Sequence, residues 1–144
     1  MPVIRTSREV RASREAVFAA FSDAERLARW WGPEGFRNTF HVFEFIAGGR
    51  WKFTMHGPNG ADYANESRFA EIVPDAKVVV RHLSPPKFEL TIEFTPSETG
   101  TWVTWVQHFA DPKVAAAIRS FAEAANEQNL DRLVHEVLGG TSRA

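Results

Sequence analysis

Tyr63, Asn65 and Ser67 alternate along one segment of the chain, with His82 and Gln107 in two later segments. Hydroxyls, amides and an imidazole on one surface would orient the polar end of a small molecule, while surrounding Phe and Trp took up its apolar part. The residue types offer little for chemistry beyond binding. The five histidines, His41, His56, His82, His108 and His135, show no HExxH or comparable ligand spacing, so no metal site is expected. The absence of cysteine removes thiolate nucleophiles and Cys-based zinc sites. A Ser-His-acid set would need Ser67 or Ser84 beside His82 or His41, and no GxSxG turn is present. Glu44, Glu66, Glu89 and Glu93 all read as outward, leaving histidine as the one proton shuttle. We expect no catalytic residue and no cofactor.

The elements that must position these residues follow from periodicity and punctuation. Residues 3–12 read as a short edge strand. Ser13 caps a helix carrying Val17, Phe18 and Phe21, and Asp23 caps a second short helix that ends before Trp30-Trp31-Gly32-Pro33. From Arg37 to Phe109 the period is two, giving strands over 37–45, 50–57, 62–72, 76–83, 87–95 and 101–109. Gly48-Gly49, Pro58-Asn59-Gly60, Pro74-Asp75, Pro85-Pro86 and Glu98-Thr99-Gly100 are the turns of an antiparallel meander. The glycine turns join strands instead of opening a helix, so they are not phosphate loops.

Parity assigns the faces. Outward Glu66 and Arg68 put Tyr63, Asn65, Ser67 and Phe69 inward. The same logic puts Val78, Val80 and His82, then Val103, Trp105 and Gln107, on the inner face, with Trp51, Phe53, Phe88 and Phe94. Phe40 and Val42 oppose Phe43 and Phe45, and we take His41, Phe43 and Phe45 as inward. Asp111-Pro112 opens the longest helix, expected over 112–138 and stopped by Gly139-Gly140, with 141–144 a frayed tail. Its apolar stripe runs through Val114, Ile118, Phe121 and Ala125, then Leu130, Leu133 and Val137.

The whole is one domain of 144 residues, 1–140 excluding the tail, with a net charge of -1 and 12 Phe and 5 Trp against 1 Tyr. That balance argues against a nucleic-acid partner, which needs clustered Lys and Arg. No apolar run is long enough to span a bilayer, and the start lacks the apolar stretch of a signal peptide, so a cytoplasmic protein without membrane contact is expected.

The order strand, two short helices, six-strand meander, long helix resembles the helix-grip fold of the START-like/SRPBCC superfamily. This is an α+β architecture in which a curved antiparallel sheet of about seven strands wraps the last helix. Residues 30–33 (WWGP), 48–53 (GGRWKF), 55–60 (MHGPNG) and 130–133 (LDRL) resemble the bacterial branch of the family named after the activator of the 90-kilodalton heat-shock chaperone's ATPase. Members often carry Gly-Trp where this chain has Ala125-Asn126, which would make one wall of the expected cavity polar. The eukaryotic activators have a further N-terminal domain that engages the chaperone, so the resemblance does not by itself carry chaperone activation.

The resemblance implies a cavity between sheet and long helix, lined by Trp31, His41, Phe43, Trp51, Phe53, Tyr63, Asn65, Ser67, His82, Trp105, Gln107, Phe121 and Asn126. Its occupant would be a small hydrophobic or aromatic molecule. Spacing alone favours a filled core whose polar groups bond to each other or to one buried water. Of Trp30 and Trp31, one plugs the end of the barrel while the other faces a cavity mouth or a partner. Two rival functions stand beside non-enzymatic binding: a co-chaperone-like module with a protein partner, and a cyclase- or hydrolase-type enzyme using the same cavity.

Overall fold

The computed structural model describes residues 2–142, with side chains as far as Gly139. Strand β1 (Val3–Val10) leads into helices α1 (Arg14–Ser22) and α2 (Ala24–Trp30). Six strands follow: β2 (Arg37–Phe43), β3 (Arg50–His56), β4 (Asp62–Val73), β5 (Lys77–His82), β6 (Phe88–Pro96) and β7 (Thr101–His108). Helix α3 spans Pro112–Ser142. The strands form a single antiparallel sheet in the order β1-β7-β6-β5-β4-β3-β2, so the meander brings its last strand back against the first. This is the expected α+β helix-grip architecture.

Local chemistry explains the helix starts. Ser13 Oγ accepts the Ala16 N–H at 3.1 Å, and Asp23 Oδ1 accepts from Glu25 and Arg26 at 3.0 and 3.3 Å, satisfying donors a helix leaves open. Helix α2 stops at Trp31, whose backbone leaves helical geometry, and Gly32 follows at φ +96°. At the β2–β3 turn, a Cβ on Gly49 would lie 2.0 Å from the Glu44 carbonyl oxygen, so only glycine lets the chain close there.

The concave face carries the core. Trp51, Phe53, Phe69, Val80, Leu90, Ile92, Phe94, Val103 and Trp105 pack against Val17 and Phe21 of α1, Leu27 and Trp30 of α2, and Leu130, Leu133 and Val137 of α3. A second cluster joins Ile4 and Phe109 to Ala115 and Ala122 of α3.

Four local expectations are corrected. His41 points outward: the β2–β3 register shifts between Phe40 and Val42, and the bulge lets Phe40 before it and Phe43 after it both face the core. His41 instead meets Thr54 Oγ1 at 2.8 Å on the outer face. Tyr63 is 46% exposed, because it lies near the start of β4, beyond the helical cover. Phe121 is 68% exposed, because the buried stripe of α3 runs instead through Ala115 and Ala122, where the helix packs on Ile4 and Phe109. Finally, α3 continues through Gly139 and Gly140 to Ser142. Burial of Val137 and packing of Leu138 outweigh the roughly 1 kcal/mol that a glycine costs in a helix. Of the tail expected at 141–144, Thr141 and Ser142 are therefore helical, while Arg143 and Ala144 lie outside the described residues.

Candidate functional site

The segment Trp30–Phe36 sits where α2, α3 and the sheet meet, and α3 fixes it by its backbone. Asn129 Nδ2 donates to the Trp30 carbonyl at 2.9 Å, while its Oδ1 accepts the Gly32 N–H at 3.3 Å. Arg132 Nη1 donates to the carbonyls of Trp31, Gly32 and Pro33 at 3.2, 2.9 and 2.9 Å, and Nη2 to those of Arg29 and Phe36 at 2.6 and 3.0 Å. Asn38 Nδ2 adds bonds to Ala28 and Trp31. Burial lowers the Arg132 pKa, yet a guanidinium keeps its charge, which complements the carbonyl end of α2. The LDRL segment thus places Leu130 and Leu133 in the core and turns the arginine between them back on the Trp segment.

Trp31 is clamped by its backbone, and its ring packs among other rings. It lies 4.9 Å from Trp51, 5.6 Å from Trp105 and 5.6 Å from Trp30, centroid to centroid. Trp51 in turn stacks on Phe69 at 5.3 Å and Phe53 at 4.5 Å. Phe43 touches both Trp51 and Phe69. This aromatic mass occupies the space between sheet and helices where a lined cavity was one of two expectations.

Its polar atoms are unevenly served. Trp30 Nε1 donates to the Ala20 carbonyl at 2.9 Å. Trp51 Nε1, Trp105 Nε1 and Ser67 Oγ are buried and have no hydrogen-bond partner among the described residues. Ser67 is the cross-strand partner of Trp51, so two of the three are neighbours on one face. A buried polar group without a partner costs about 1–3 kcal/mol, which makes two indole N–H groups and a hydroxyl in one interior unusual.

The other expected residues fall into two pairs. His82 Nε2 lies 2.8 Å from Asn65 Oδ1, its Nδ1 lies 2.8 Å from the Pro86 carbonyl, and its ring stacks on Phe88 at 4.6 Å. Burial pulls its pKa below the ordinary imidazole value, against the pull of the Pro86 and Ser84 carbonyls. Asn126 Nδ2 donates to Gln107 Oε1 at 2.8 Å, so the polar wall is closed by its own pair. Asn126 also borders a recess of about 180 Å³ between α3 and β1.

The structure therefore gathers Trp31, Phe43, Trp51, Phe53, Ser67 and Trp105, pairs Asn65 with His82 and Gln107 with Asn126, and leaves out His41, Tyr63 and Phe121. Sequence reasoning missed Phe40, hidden by the bulge, and the clamp of Asn129 and Arg132. Their spacing of three along one helix face was the available signal.

Two further features lie apart from this interior. A recess of about 740 Å³ between α2 and α3 is lined by polar and charged groups, among them Arg29, Glu34, Asp131 and His135, and by Glu136, which pairs with Arg26 and Arg29 at 3.0 Å each. On the convex face, Thr39 Oγ1 lies 2.7 Å from His56 Nε2, whose Nδ1 lies 2.8 Å from Asp62 Oδ1. The order hydroxyl, imidazole, carboxylate is that of an acyl-transfer triad, but these residues line neither recess. Among the described residues no His, Cys, Asp and Glu side chains group as a metal site, and no helix is long and apolar enough to cross a membrane.

The sequence pattern described as "Activator of Hsp90 ATPase homolog 1-like protein" matches residues 11–137. No curated protein matches the chain. Among solved structures, a protein from Chromobacterium violaceum is 27% identical, with a TM-score of 0.83 over 93% of this chain and 96% of that one. One from Nitrosomonas europaea is 17% identical, with a TM-score of 0.86 over 96% and 95%. An AHSA1-like protein from Aeromonas hydrophila is 20% identical, with a TM-score of 0.79 over 97% and 94%.

Proposed function

The chain belongs to the activator of Hsp90 ATPase homolog 1-like family, and we propose that it binds a small hydrophobic or aromatic molecule, in the cytoplasm and without turning it over. The binding surface is the concave face between the sheet and α3. The observation that carries this reading is that three of the four buried polar atoms without a partner among the described residues, Trp51 Nε1, Trp105 Nε1 and Ser67 Oγ, lie inside an aromatic interior, the fourth being Asn38 Oδ1. A few polar groups in an apolar surround are the usual make-up of a small-molecule site. His82 supports binding over catalysis, because both its nitrogens are engaged and its ring is stacked, which suits holding Asn65 more than moving a proton.

An NMR titration of the full chain with aromatic metabolites and lipids tests the reading. The expected result is a saturable shift at Trp51, Ser67 and Trp105. Shifts confined to the convex face, or no binding tighter than about 1 mM, would sink it.

A second reading, a protein-interaction module, draws on the exposed Phe121 and Trp102, 68% and 42% accessible on α3 and the convex face of β7. It expects a partner whose capture is lost in Phe121→Ser or Trp102→Ser. Equal capture by both variants removes it.

A further inference from the structure

Trp31 differs from the other core tryptophans in how it is held. Trp30, Trp51 and Trp105 are at most 2% exposed, whereas Trp31 is half-buried and so has a path to solvent. Every hydrogen bond described at Trp31 is made by its backbone. Its N–H donates to the Leu27 carbonyl at 3.0 Å, and its own carbonyl accepts from Asn38 and Arg132. Rotation about the Cα–Cβ bond therefore breaks none of these hydrogen bonds and costs only the ring's packing against its neighbours. Of the three indoles around it, Trp30 donates to the Ala20 carbonyl, whereas the N–H groups of Trp51 and Trp105 have no acceptor among the described residues.

We infer that the Trp31 indole is a displaceable plug, and that the molecule replacing it is a flat, neutral, bicyclic aromatic with a hydrogen-bond acceptor on its edge. This rests on the binding reading above and specifies its occupant. Size follows from the indole volume vacated. Aromatic character follows from the rings around it, which meet the indole edge-on or tilted and would meet another ring in the same way. The acceptor follows from chemistry, because an indole N–H is a donor only and the Ser67 hydroxyl can also donate. Neutrality follows from burial: an acid would need a cation, and the α3 guanidinium that clamps this segment, Arg132, is spent on five carbonyls. With the plug in place the apolar surface is covered, and the two N–H groups have no protein acceptor among the described residues. A ligand with an acceptor preserves the cover and satisfies them.

Quinoline and naphthalene separate these contributions, since they share a shape and differ by one ring nitrogen. Their affinities are read from the indole Nε1–H resonances of the full chain, with Trp102→Ala as a control for surface binding. Quinoline should move the Trp51 and Trp105 resonances and bind about tenfold tighter than naphthalene. Trp31→Ala should tighten quinoline binding by a further factor of about ten, because no plug competes; Trp31→Phe, which retains a smaller plug, should fall between. Trp102→Ala should bind as the parent does. Equal affinities for the two probes, or quinoline binding that moves the same resonances unchanged in both Trp31 variants, would overturn the plug while leaving interior binding intact. Resonances that stay still with both probes in every variant would overturn the plug and the binding reading together.

Discussion

At His82 burial and hydrogen bonding pull in opposite directions. Asn65 Oδ1 and the Pro86 carbonyl are both acceptors, an arrangement that suits the doubly protonated ring. Burial is the larger effect and holds the folded pKa below the ordinary 6.5. The neutral ring donates from one nitrogen only, to the Pro86 carbonyl or to Asn65 Oδ1, while Asn65 Nδ2 donates to the Tyr63 carbonyl at 3.0 Å. In the window between the lowered folded pKa and 6.5 the unfolded chain binds the extra proton, so stability rises with pH there and is lost on acidification. Glu136 acts lower: hydrogen bonds from Arg29 and Arg26 hold its carboxylate below the ordinary 4.5, and its contribution fades only as pH falls below that value. Melting temperature should therefore drop in two stages on acidification, and His82→Gln should flatten the first stage alone. Parallel profiles for the two proteins between pH 5 and 7 would refute the assignment. His82 was legible from strand parity, because β5 has no irregularity. His41 was not, because one extra residue in β2 reverses the face of every side chain on one side of it.

Helix α3 shows how packing overrides punctuation. Gly139 and Gly140 read as a stop, yet a glycine ends a helix by adopting positive φ, and Gly139 does not. With Val137 1% exposed just before it, the last turns are anchored to the core. A Cβ at Gly139 would come no closer than 3.9 Å to His135, an ordinary contact. Gly139→Ala should accordingly stabilise the protein by about 0.5–1 kcal/mol, through helix propensity and reduced freedom of the unfolded chain. Urea unfolding measures this, and a loss of stability would mean the helix ends earlier in solution. The same helix explains why Arg132 escaped notice as a functional residue. An arginine between two leucines looks like a solvated position until the carbonyl end of α2 is seen beneath it.

At the scale of the molecule, the first strand and last helix close the fold. Arg8 bonds Glu127 at 2.9 Å and Asp131 at 2.6 Å, Thr6 bonds Glu127, and Arg119 reaches the Val3 carbonyl at 3.1 Å. These contacts join residues more than a hundred positions apart, so they form only after a large loop closes. They also hold β1 in its pairing with β7, whose concave side carries Trp105. Hydrogen exchange should show the amides of β1 and the first half of α3 opening as one unit. Arg8→Ala should speed both about fivefold, consistent with about 1 kcal/mol for a partly exposed pair network. Acceleration in β1 alone would show that the helix does not depend on the latch.

The sequence by itself determined the order of the elements, their caps and turns, and the inner face of β3 and β5–β7. Those features depend on neighbours a few residues away, and alternation and capping are local physics. Only the tertiary structure decided that Phe40 and Phe43 share a face and that Tyr63 and Phe121 lie outside the cover. It alone showed that α3 outlasts its glycines and that Arg132 holds the Trp segment. Above all, it set Trp31 against two indoles whose N–H groups have no acceptor among the described residues. Each depends on where distant elements meet, and a hydrogen bond left unmade is visible only once every partner has been placed.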